Sequence, residues 1–133
     1  MVPVDAGGRT VLVRQWRHSW SSTSWELPAG TIEAGEEPLA AAQRELGEEA
    51  GLSAAEWVSL GTARSTAVAT LRFHLFLARG LRPEERRPEV YEQDMILREL
   101  PLEDAIEEAL DGGIDHAASI TALVRAGRNL GLI

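Results

Sequence analysis

The sequence predicts an α+β domain in which a mixed β-sheet is covered by helices. Three observations lead there. Short runs of β-branched and aromatic residues are bounded by Gly, Pro and polar turns, and three longer stretches place apolar residues at helical spacing. Strands and helices also follow one another without strict alternation, which fits a mixed sheet better than a doubly wound one. No internal repeat, low-complexity tract or linker divides the 133 residues, so a single domain over 1–133 is expected.

Val2–Val4 and Thr10–Trp16 read as two strands joined by the turn Asp5-Ala6-Gly7-Gly8. Arg17–Ser24 is polar and is expected to be a loop, followed by a short strand over Trp25–Pro28. Ala29–Glu37 holds two glycines and three glutamates and reads as an ordered loop. Pro38–Ala50 is the strongest helix, with proline where a missing N–H costs nothing and Gly51 placed as a C′ residue. Leu39, Leu46 and Ala50 would draw its apolar stripe. Trp57–Leu60 and Leu71–Ala78 read as strands, the second apolar enough to be central. Leu81–Tyr91 is a charged loop, Met95–Leu100 a strand, and Leu102–Leu110 and His116–Leu130 amphipathic helices.

Composition narrows the chemistry. There is no cysteine, which removes thiol nucleophiles, disulfides and Cys-ligated zinc, and all 13 basic residues are arginine, which removes Schiff-base lysine and a P-loop lysine. A net charge of −8 argues against binding nucleic acid through its phosphates and against adhesion to an anionic membrane. No apolar run approaches the length of a membrane span and Met1–Arg9 does not read as a leader, so a cytoplasmic location is expected.

Acidic residues crowd one region: between Glu33 and Glu49 lie six glutamates and a single arginine. Glu45, Glu48 and Glu49 fall in the last turns of a helix, where the macrodipole disfavours negative charge. At about 100° per residue they share one face within roughly 100° of arc, where like charges repel. Either this is a solvated acidic face, with Arg44 and Glu48 as an ordinary ion pair, or a cation compensates it. An oxygen-only donor set suits Mg²⁺ or Mn²⁺.

From Gly30 the chain runs through five residues to Glu36, then seven to Arg44-Glu45-Leu46-Gly47-Glu48-Glu49-Ala50-Gly51-Leu52. This resembles the Nudix box, G-x5-E-x7-R-E-U-x-E-E-x-G-U with U apolar, and every specified position over 30–52 is matched. The resemblance implies an α/β/α sandwich around a mixed sheet, with the box as loop, helix and loop. It implies that Glu45, Glu48 and Glu49, with the carbonyl of Ala29, hold Mg²⁺ (Mn²⁺ as a substitute), that Arg44 orients the carboxylates, and that Gly30 and Glu36 shape the loop beside the substrate. The implied reaction is hydrolysis of a pyrophosphate bond in a nucleoside diphosphate linked to another group.

Arg14-Gln15-Trp16-Arg17 and Trp25-Glu26-Leu27-Pro28-Ala29-Gly30 resemble the ADP-ribose and nucleotide-sugar pyrophosphatase branch, which implies a substrate contact for Arg17 and a possible homodimer. Trp16, Trp20 and Trp25 are base-stacking or core residues on this reading, and Trp25 joins Arg17, Gly30 and Glu36 in the substrate-binding set. The base is expected from the acidic loop before the last strand, which offers Glu84, Glu85, Glu89, Glu92 and Asp94; Glu92 is chosen for its place near Met95. His18 lies near the expected site, and His74 reads as structural. Two departures stand out: Arg64–Thr70 lacks the proline and the acidic residue the branch usually carries, and, with the chain beginning almost inside its first strand, the branch's N-terminal β segment is expected to be absent. Hydrolysis of modified nucleoside triphosphates, and a non-catalytic Nudix-like ligand-binding domain, are the alternatives.

Overall fold

The computed structural model describes residues 1–87 and 95–133. Among these, strands β1 (Val2–Pro3), β2 (Arg9–Arg17) and β3 (Ser22–Glu26) precede helix α1 (Pro38–Glu45). A wider helical turn (Leu46–Ala50) then leads into β4 (Leu52–Arg64), β5 (Arg72–Pro83) and β6 (Ile96–Pro101). Helices α2 (Leu102–Asp111) and α3 (Ala117–Asn129) close the chain.

The strands form two three-stranded sheets, where one was expected. The first, in the order β1-β5-β4, is mixed: β1 runs parallel to β5, and β4 antiparallel to it. β5 is therefore central, as its apolar run predicts. The second sheet, β3-β2-β6, is antiparallel throughout.

Strand alternation explains the layers. On β5, Leu75 and Leu77 face a large apolar cluster with Leu12, Leu102, Ile106, Ile114 and Leu123. Phe76 and Ala78 face the other way, onto a smaller cluster with Met1, Ala42 and Leu46. The first sheet thus lies between α1 on one side and the α2–α3 pair on the other, an α/β/α sandwich. Each fully buried leucine or isoleucine of the large cluster contributes about 1.5–3 kcal/mol through removal from water.

Several boundaries differ from those the residues suggest. The polar stretch after Arg17 is not all loop: a short 3₁₀ turn (His18–Trp20) and Ser21, in the left-handed region at φ 47°, reverse the chain into β3. Ser22, Thr23 and Ser24 carry no apolar signal, yet pair with Arg17, Trp16 and Gln15 through the backbone. Strand β5 continues through Leu81–Pro83, into the segment expected to be loop. On α1 the buried stripe is Ala41, Ala42 and Leu46, whereas Leu39 is 38% exposed. His74 is exposed on β5, so it takes no part in the core.

Candidate active site

The loop after β3 and the end of α1 are held together by side chains of the acidic region. Arg44 is the hub. It donates from Nε and Nη2 to Glu36 at 2.9 and 3.0 Å, from Nη1 to Glu45 at 2.8 Å and Glu48 at 3.2 Å, and from Nη2 to the Thr31 carbonyl at 3.0 Å. Chiefly through the bonds from Arg44, helped by the backbone N–H of Glu33, the Glu36 carboxyl is lowered to about 2. Glu36 in turn raises the Arg44 guanidinium above its ordinary value. Glu36 therefore acts on Arg44 and on its own loop.

The three clustered glutamates do not share one solvated face. Past Glu45 the helix widens into a π-helical turn, so the later residues advance by less than an α-helical step. Glu45 and Glu49 are buried, Glu49 to 1% exposure, while Glu48 is half-buried beside a cleft of about 560 Å³ that Gly47, Glu84 and Arg87 help to line. The turn ends at Gly51, whose φ of 65° suits glycine and whose N–H returns to the Gly47 carbonyl at 3.1 Å.

Two backbone positions upstream meet this turn. The N–H of Ala29 donates to Glu49 Oε2 at 3.1 Å. At Gly30 an added Cβ would stand 1.9 Å from the Glu45 Cδ, so only glycine leaves room for that carboxylate. Arg17, at the end of β2, donates from Nε to Glu26 Oε2 at 2.8 Å and from Nη2 to Oε1, and the negative charge of Glu49 adds to the field at its guanidinium. From the segment just after β5, Arg86 donates from Nε to the Glu49 carbonyl at 2.7 Å.

Ala29, Gly30, Glu36, Arg44, Glu45, Glu48 and Glu49 are thus brought into one region, with Arg17 on its border. Trp25 is not. It neighbours Glu26 in β3 and so points to the opposite sheet face, where it packs against the large cluster, with the Arg14 and Arg98 guanidinium groups 5.9 and 5.7 Å from its ring centre. Trp16 is 59% exposed on that same face, opposite Thr23. Trp20, near the Arg17 side, lies 6.3 Å from the His116 ring, and His18 is exposed. Glu92, Glu89 and Asp94 lie outside the described residues.

Side chains the motif did not single out complete the region. Glu26 is fully buried between Arg17 and His116, whose Nδ1 is 3.5 Å from Glu26 Oε1. Ser119 accepts the Leu27 N–H at 2.9 Å and lies 2.8 Å from the same Nδ1. The available signal was a lone acid inside the apolar Trp25–Leu27 strand end, four residues before Gly30.

The donor set suits a hard divalent ion in kind, being oxygen-only with Gly30 leaving the space that Glu45 occupies. Among the described residues no three His, Cys, Asp or Glu side chains converge as a ready cation cage. Glu45, Glu48 and Glu49, with Ala29 alongside, are the groups here that could hold such an ion.

A sandwich of this layout, with a fully matched box on one loop–helix–loop, defines a protein class. Residues 1–123 match the NUDIX domain, and this chain belongs to the Nudix family. An ADP-ribose pyrophosphatase of Mycobacterium tuberculosis is 38% identical over 130 residues, which cover 93% of this chain and 61% of that protein. A methanol dehydrogenase activator of Bacillus methanolicus is 30% identical over 126 residues, covering 92% of this chain and 68% of that one. The chain thus spans about three fifths to two thirds of these relatives. In fold, the crystal structure of an ADP compounds hydrolase superposes with a TM-score of 0.83 at 24% identity, covering 98% of this chain and 70% of that one.

Proposed function

We propose that this protein hydrolyses the pyrophosphate bond of a nucleoside diphosphate joined to another group, ADP-ribose or a related nucleotide sugar, giving nucleoside monophosphate and sugar phosphate. The observation that carries the reading is the junction of Glu45 and Glu49 with Ala29 and Gly30, under the control of Arg44. The M. tuberculosis relative's name supplies the substrate class. Mg²⁺, with Mn²⁺ as a substitute, is the proposed metal, and when bound it would neutralise the diphosphate and lower the pKa of a water.

The chain's own residues do the rest. Arg17 offers a planar fork to a phosphate of the substrate. Arg44 keeps the Glu45 and Glu48 oxygens in place through its Nη1 group, and Glu36 keeps Arg44 in place. Glu92 is the proposed general base, accepting the proton of the attacking water. The proposed assembly is a homodimer acting on a small molecule in the cytoplasm. Among the described residues no helix is long and apolar enough to cross a membrane.

Phosphorus NMR of ADP-ribose with the protein and Mg²⁺ tests the reading. AMP and ribose 5-phosphate are expected, with turnover lost in Glu49→Gln and reduced about 10²–10⁴-fold in Glu92→Gln, the range for a general base. Free pyrophosphate released from a nucleoside triphosphate, with ADP-ribose untouched, would replace this substrate class with the triphosphates.

A further inference from the structure

We propose that Glu26 is a positioning residue for anion binding. It presets the Arg17 guanidinium so that one edge is held by the protein and the other is left for a phosphate, and helix α3 braces the pair from behind. The inference rests on the diphosphate reading above and adds to it a residue outside the box.

Glu26 is a charged side chain with no exposure, at the end of β3. A buried carboxylate persists where it is paired and hydrogen-bonded. Both its oxygens receive Arg17, one from Nε at 2.8 Å and the other from Nη2. This side-on fork uses two of the five guanidinium N–H groups, and three remain. The Arg17 side chain is 38% exposed, so its outer edge is open to a ligand.

The brace comes from the N-terminal end of α3. His116 Nδ1 is 3.5 Å from Glu26 Oε1, and burial pushes this imidazole below its ordinary value, so that near neutral pH it does not compete with Arg17 as a second cation. Ser119, one turn on, receives the N–H of Leu27, the residue directly after Glu26. Two residues later the Ala29 N–H is on Glu49. The stretch 26–29 therefore ties Arg17 at one end and a box carboxylate at the other. This fixes the spacing between the arginine and the carboxylates before any substrate arrives, and pre-organisation of that kind raises affinity.

The test is calorimetric titration with inorganic pyrophosphate, with and without Mg²⁺, on wild type, Glu26→Gln, Arg17→Gln and the double variant. Each single change is expected to weaken binding about tenfold, and the double variant no more than either alone, as for two groups acting as a unit. With ADP-ribose, KM should rise about tenfold in Glu26→Gln while kcat stays within about twofold, since the contact is made in ground and transition states alike. A folded Glu26→Gln that binds pyrophosphate within twofold of wild type overturns the proposal, as does a wild type that binds none. Coupled loss of pyrophosphate binding in a protein that leaves ADP-ribose intact sinks the substrate reading alone.

If Glu26→Gln does not fold, the Arg17 Nε–H resonance of the wild type, assigned with Arg17→Lys, decides. A resolved, slowly exchanging signal that shifts on adding pyrophosphate supports the proposal. Exchange as fast as that of exposed Arg64, or no shift, overturns it.

Discussion

Gly30 shows how one absent methyl group can govern a site. Its hydrogen faces the place where the Glu45 carboxylate lies, 1.9 Å from where a Cβ would stand. Gly30→Ala must therefore push Glu45 away and disturb its bond to Arg44. Displacement of a positioned group by about 1 Å costs on the order of 10² in rate, so steady-state kinetics on ADP-ribose should show a loss of that size. Unfolding midpoints measured alongside should show whether the fold has been spared. A loss below threefold would mean that Glu45 need not stand where it does. Glycine at this place was legible in the sequence as part of the box, but the reason for it was not, because only the fold brings residue 30 against residue 45. Glu26 was less legible still. A single acid between Trp25 and Leu27 looks like the polar face of a strand until Arg17 and His116 close on it.

Among the elements, α1 was legible from its proline start and glycine end, whereas the widening at Leu46 was not. Helical periodicity assumes one rotation per residue, and a π-helical turn breaks that assumption without any change in residue type. Strand β3 escaped for a different reason: serine and threonine pair through their backbone, so the hairpin depends on β2 as a partner more than on its own composition. Helix α3 carries a consequence for pH. His116, at its N-terminal boundary, titrates below its ordinary 6.5, mainly from burial and from the Arg17 charge, against the opposing pull of Glu26 and Asp115. The unfolded chain therefore binds this proton more readily than the folded one. His116 does not burden stability above pH 6.5, and stability falls as the pH drops below that value. Urea denaturation between pH 7.5 and 5 should show the decline, and His116→Asn should flatten it. An unchanged slope in the variant would assign the decline to other groups.

At the scale of the molecule, the layered α+β architecture was legible in the order of apolar runs, and β5 was identified as central. The division of the strands into two sheets was not, because which strands pair depends on register between segments far apart in sequence. Leu77 lies on the central strand of the first sheet with no exposure, inside the large cluster. Leu77→Ala should cost about 2–5 kcal/mol in urea denaturation, the range for a buried leucine lost to a cavity. A cost under 1 kcal/mol would mean that the layers re-close around the gap.

The two apolar clusters differ in size, and the carboxylates ride on the smaller one. Helices α2 and α3 are bound into the large cluster, while α1 enters the smaller one through Ala42, beside Met1, Leu46, Ala78 and partly buried neighbours. Regions with few buried apolar contacts open at lower free energy than the rest of a protein. Amide hydrogens of α1 should accordingly exchange with deuterium well before those of α3, and divalent metal with substrate should slow the first set and leave the second alone. Equal exchange in both helices would make the molecule a single opening unit. Otherwise the layer that carries the box carboxylates is also the one that breathes, and occupancy of the site reads out as the rate at which a single helix comes loose.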